Sequence, residues 1–92
     1  METDRRLDAV VRGRVQGVYF RQGTLEQAQA LGLSGWVTNR RDGSVAVVAE
    51  GSQHMLERLL AWLHSGPPMA YVEGVDVAWS NATGEFRGFN VR

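Results

Sequence analysis

The chain of 92 residues has room for one domain, whose core must be compact because a short chain buries a smaller share of its surface on folding. Cysteine and lysine are both absent, which excludes disulfides, thiolate metal sites, cysteine nucleophiles, a Walker A phosphate loop and Schiff-base lysines. Ten arginines balance ten acidic residues and no apolar run reaches the length of a membrane span, so no nucleic-acid or membrane partner is expected and the location read is cytoplasmic.

Leu7, Ala9, Val11 and Val15 alternate with Asp8, Arg12 and Arg14, a period of two interrupted at Gly13, and predict a strand that ends in a loop at Gln16 and Gly17. From Arg21 the period lengthens. Leu25, Ala28 and Leu31 recur among Glu26, Gln27 and Gln29, predicting a helix that Gly32 closes with a left-handed C-cap. Residues 35–39 and 44–50 read as strands joined by Arg40-Arg41-Asp42-Gly43, a hairpin signal. Ser52 then caps a second helix with Met55, Leu56, Leu59, Leu60 and Leu63 on its apolar face, ended by Gly66-Pro67-Pro68. Tyr71 to Trp79 is a valine-rich strand in which Gly74 opens the register to a bulge; Asn81 to Gly84 is a turn, and Phe86 to Val91 a short last strand.

Helices with a single apolar stripe must lie on a sheet. The order β-α-β-β-α-β with a short final strand therefore predicts an α+β, ferredoxin-like split β-α-β sandwich in one domain spanning 1–92, with two helices on one face of an antiparallel sheet. Trp36, Trp62 and Trp79 fall inside predicted elements and read as core or sheet-face packing. His54 and His64 fall on different faces of one helix with no acidic partner at ligand spacing, so no metal and no cofactor is expected.

The stretch Gly13-Arg14-Val15-Gln16-Gly17-Val18-Tyr19-Phe20-Arg21 leaves a strand and enters a helix. Such a loop aims unpaired N–H groups at one place, glycine lets it curl, the helix dipole adds positive potential, and Arg21 supplies a planar fork of donors. Gly-rich turns of this kind are also common, and the spacing fits neither G-x-G-x-x-G nor Walker A. The residues alone leave open both an anion site and a plain surface charge at Arg21. They also leave open whether the Tyr19 ring lines the entrance or packs beneath it, and whether Arg40 and Arg41 steer anions or are merely solvated.

Residues 13–21, G-R-V-Q-G-V-Y-F-R, and 35–45, G-W-V-T-N-R-R-D-G-S-V, resemble the two signatures of the acylphosphatase family, in the right order and separation. The likeness continues through Ala49-Glu50-Gly51 and Gly66-Pro67-Pro68-Met69-Ala70. What it implies is metal-independent hydrolysis of small acyl phosphates, with inorganic phosphate or sulfate binding as product or analogue. The backbone amides of Gln16, Gly17, Val18, Tyr19 and Phe20 would cradle the phosphoryl group, Arg21 would bind its oxygens, and Asn39 would hold the attacking water.

A similar module that handles carbamoyl phosphate begins some large maturation enzymes, but the chain ends at Arg92 without a cysteine-rich zinc segment, which favours a freestanding enzyme. A ferredoxin-like RNA-binding module would need aromatic residues on its central strands, and residues 7–15 and 44–50 have none. A non-catalytic ligand-binding module of the same architecture would differ by not turning its ligand over. Nothing in the sequence demands an oligomer, so a monomer is expected.

Overall fold

The computed structural model describes residues 3–92. Its elements follow the order read from the periodicity: β1 (Arg5–Arg14), α1 (Phe20–Ala30), β2 (Ser34–Asn39), β3 (Val45–Gly51), α2 (Gln53–Ser65), β4 (Tyr71–Asn81) and β5 (Phe89–Val91). The strands form one sheet in the order β4-β1-β3-β2-β5. Both helices pack on one face of it, α1 over β2 and β5, α2 over β1 and β4.

Strand parity explains the core. Leu7, Ala9 and Val11 of β1 pair with Ala49, Val47 and Val45 of β3, and Val37 of β2 pairs with Val47. Paired residues share a sheet face, so these side chains form one buried apolar layer, covered by Leu56, Leu59 and Leu63 of α2 and by Phe20 and Ala28 of α1. The Phe20 and Trp62 rings meet at 5.5 Å, tilted by 56°, and so tie the first residue of α1 to the second helix. Trp79 packs against the same core, while Trp36 lies half-buried under the Arg92 guanidinium, 4.9 Å from its ring.

Three details differ from the sequence reading. The buried stripe of α1 is Phe20, Thr24 and Ala28, with Leu25 and Leu31 only partly buried. Thr24 tolerates full burial because its hydroxyl donates to Phe20 O at 2.8 Å, which returns the polar group to the helix backbone. The sheet is also not wholly antiparallel, because β5 runs parallel to β2, pairing Gly35 with Phe89 and Val37 with Val91. That last strand is shorter than expected. The buried Glu50 carboxylate accepts the Thr83 and Gly84 N–H groups at 3.0 and 2.9 Å and the Thr83 hydroxyl at 2.9 Å, which holds the preceding segment in irregular loop form.

The irregularity anticipated near Gly74 lies at the β1–β4 pairing, where the register jumps from Arg12–Gly74 to Gly13–Val72. Gly13 sits there at φ 127, and a Cβ on it would stand 2.2 Å from Tyr71 O, so the close approach of the two backbones requires glycine. Past this point β1 follows β4 alone. Its ladder with β3 ends at Val11–Val45, and the two strands part where the Gln16 loop and the hairpin tip begin.

Candidate active site

The loop between β1 and α1 turns twice through left-handed backbone, at Gly17 (φ 74) and at Tyr19 (φ 65). Tyr19 is the one non-glycine residue with positive φ among the described residues. Holding a tyrosine there costs about 1–3 kcal/mol, so the rest of the loop must impose it. The anchors are apolar, since Val15, Val18 and Phe20 are all buried in the core while Tyr19 stands 80% exposed.

Tyr19 is also the N-cap of α1, and its side chain makes no capping bond. Among the described residues, the main-chain N–H groups from Gln16 to Gln22 have no acceptor; the first that does is Gly23, donating to Tyr19 O at 3.0 Å. A helix start leaves its first amides without intrahelical partners, and positive φ at alternate residues is the backbone pattern from which amide nests are built. The result is a run of free donors at the positive end of a helix dipole, without a negative side chain in the first turn.

Of these residues Gly17, Tyr19, Phe20 and Arg21 line a cleft of about 450 Å³, together with Asn39 of β2 and Val91 of β5. Parity puts Asn39 there. It pairs with Val45 on the same sheet face as Val37, beneath α1 and at the strand end nearest the helix start. Arg21 reaches the cleft because it follows the buried Phe20 by one position on the helix and must therefore face outward. The guanidinium of Arg21 and the carboxamide of Asn39 make no hydrogen bond to any described residue, so both present their full donor and acceptor capacity to the cleft.

The structure thus brings together the side chains the sequence singled out. Gly17, Tyr19 and Phe20 line the cleft, whereas Gln16 and Val18 do not: Val18 packs inward, and the Gln16 side chain turns to the hairpin, where Nε2 donates to Arg40 O at 2.7 Å and Ser44 O at 2.9 Å. The Tyr19 ring lines the entrance rather than packing beneath it. Arg40 and Arg41 are exposed at the hairpin tip and neither lines the cleft. The tip itself is held by Asp42, which accepts the Ser44 amide at 2.9 Å and the Ser44 hydroxyl; these two bonds hold its carboxyl below the usual carboxylate range.

Sequence reading missed two contributors. Val91 joins the cleft wall only because β5 adds parallel to β2, with Arg92 N–H donating to Val37 O at 2.8 Å. The grip of the Gln16 side chain on the hairpin had no local signal at all, since its partners lie 24 and 28 residues away. His54 and His64 are exposed on α2, and the described residues gather no group of three or more His, Asp or Glu side chains suited to a metal ion.

Fold and site together define a ferredoxin-like α+β domain with an uncapped strand-to-helix loop beside Arg21 and Asn39. A family model described as Acylphosphatase matches residues 7–91, and the chain belongs to that family. An acylphosphatase of Pelotomaculum thermopropionicum is 52% identical over 86 residues, covering 94% of each chain. One of Salinibacter ruber is 50% identical over 90 residues, covering 98% of this chain and 95% of the relative. The crystal structure of acylphosphatase from Bacillus subtilis superposes with a TM-score of 0.92 at 33% identity, over 96% of this chain and 98% of that one.

Proposed function

We propose that this protein hydrolyses the carboxyl–phosphate bond of acyl phosphates, releasing a carboxylate and inorganic phosphate, with Arg21 and Asn39 as the catalytic side chains and the Gln16 to Phe20 amides as the phosphate cradle. The observation that carries this is a run of amides with no acceptor among the described residues, beside a guanidinium and a carboxamide that bond to none of them, at one cleft. An acyl phosphate suits such a site because its leaving group is a carboxylate, a weak base that departs without a proton from the enzyme. What remains is to gather charge on the phosphoryl oxygens and to place water in line with the breaking bond.

In this reading the amides and the Arg21 fork bind the phosphoryl oxygens, and the Asn39 carbonyl accepts a hydrogen bond from the water. The water oxygen bonds to phosphorus, the P–O bond to the acyl group breaks, and its electron pair leaves on the carboxylate. A phosphoryl oxygen takes the water's proton, because an amide carbonyl is too weak a base to keep it. The enzyme acts as a single-domain monomer in the cytoplasm on small acyl phosphates, with no cofactor and no nucleic-acid or membrane partner. Among the described residues no helix is long and apolar enough to cross a membrane.

Phosphate release from benzoyl phosphate in excess EDTA tests the proposal. Turnover that survives chelation and is competitively inhibited by inorganic phosphate, with a simple phosphate monoester nearly inert, is the expected result. No turnover, or turnover that vanishes with the chelator, would contradict it.

A further inference from the structure

We infer that the Gln16 side chain is a positioning residue that sets the distance between the amide cradle and the Asn39 carboxamide; this rests on the reading of the cleft as the active site. The two halves of that site belong to segments that no strand pairing joins directly. The β1–β3 ladder stops at Val11–Val45, the first residue of β3; beyond it β1 continues paired with β4 alone, while the chain before Val45 forms the hairpin tip. The cradle sits at the end of the first path and Asn39 at the neck of the second.

Gln16 closes this gap. Its Nε2 donates one hydrogen to Arg40 O at 2.7 Å and the other to Ser44 O at 2.9 Å, which uses the full donor capacity of a primary amide. These carbonyls frame the hairpin neck, where Arg40 N–H also donates to Ser44 O at 2.9 Å, and Arg40 directly follows Asn39. Among the described residues no other hydrogen bond joins the 15–22 segment to the 39–44 segment. The nearest substitute is the Arg12–Asp42 ion pair at 3.8 Å, half-exposed on both sides and remote from the cradle, and such pairs contribute little.

The Gln16 carboxamide does not line the cleft, so it touches no reacting atom. Its effect passes through the placement of Asn39. Phosphate affinity comes from amides and a guanidinium within one segment, whereas turnover also needs the water held by the other segment. Loss of the clasp should therefore lower turnover and spare phosphate binding, and displacements on the order of 1 Å cost about 10² in rate.

The test is Gln16→Met, which keeps the side-chain length and removes both donors. Its kcat on benzoyl phosphate should fall about 10- to 100-fold while the inhibition constant for inorganic phosphate changes less than about threefold. In an Asn39→Ala background the same substitution should change kcat less than about threefold, since its route is already cut. Gln16→Glu gives a pH signature: the neutral acid donates to one carbonyl and the ionised form repels both, so relative kcat should recover as pH falls. Should Gln16→Met not fold, Gln16→Asn, one methylene too short to span both carbonyls, serves in its place.

Wild-type kcat in Gln16→Met, an equal loss of kcat and phosphate affinity, or an undiminished effect in the Asn39→Ala background would overturn the assignment of Gln16 alone. Wild-type turnover in Arg21→Ala would overturn the reading of the cleft, and with it this one.

Discussion

The two helices of this domain begin in opposite ways. At the start of α2, Ser52 stands in extended conformation and its Oγ accepts the Met55 N–H at 3.3 Å, so the end is closed by the chain itself. At the start of α1 the residue in that place is a left-handed tyrosine, its side chain does not cap, and the amides from Gln16 to Gln22 have no acceptor among the described residues. Other loops resemble the first case: the Glu50 carboxylate receives the Thr83 and Gly84 amides, and Asp42 receives that of Ser44. A chain that supplies an oxygen at those places and none at the fourth leaves room there for oxygen from outside. The phosphoryl group would do at α1 what Ser52 Oγ does at α2.

Substitutions at four positions divide the open start from the closed ones, taken from the largest effect down. Arg21→Ala should reduce turnover of benzoyl phosphate by about 10³ to 10⁵ without moving the urea midpoint, because the exposed guanidinium bonds to none of the described residues. Arg21→Lys should recover less than about tenfold of that loss, since one ammonium does not reproduce the fork. Asn39→Ala should cost about 10² to 10³ in kcat and leave the phosphate inhibition constant within about threefold; a lost phosphate affinity would instead make Asn39 part of the cradle.

Glu50→Ala removes an internal oxygen and should cost about 1–3 kcal/mol in urea unfolding, from the amides and hydroxyl left unpaired. Burial pushes the Glu50 carboxyl up, but hydrogen bonds from Thr83 and Gly84 and the Arg6 guanidinium prevail and hold it below the usual carboxylate range. With the folded value below the unfolded one, this stabilisation is complete above a pH of about 4.3 and is lost as pH falls through the folded value. Glu50→Gln should accordingly flatten the acid-side fall in stability. Ser52→Ala, the smallest change, should cost about 1 kcal/mol and lower Tm by about 4–8 °C with kcat unchanged. A changed kcat would mean that the closed start is coupled to the site.

Much of this contrast was legible in the sequence, though unevenly. Alternation and helical period gave the order of elements, and a serine before Met55-Leu56 announced the closed start. The two signatures placed Arg21 and Asn39, which strand parity and one helical position suffice to bring into a common cleft. The open start was harder to read, because whether amides are capped depends on the φ and ψ of Tyr19, a residue with no intrinsic preference for left-handed backbone. The buried stripe of α1 was misplaced for a related reason: Thr24 counts as polar by composition but satisfies itself against Phe20 O. The direction of β5 and the reach of Gln16 are long-range matters, fixed by Glu50 holding a distant loop and by a clasp across 24 and 28 residues.

A titration of the 15N-labelled protein with inorganic phosphate tests most directly whether the open amides receive an anion. The account predicts saturable shifts concentrated on the amides of Gly17 to Gln22, abolished by Arg21→Ala, with those of Gln53 to Met55 at the start of α2 unmoved. Shifts absent from the first set, or equal at the two helix starts, would contradict it.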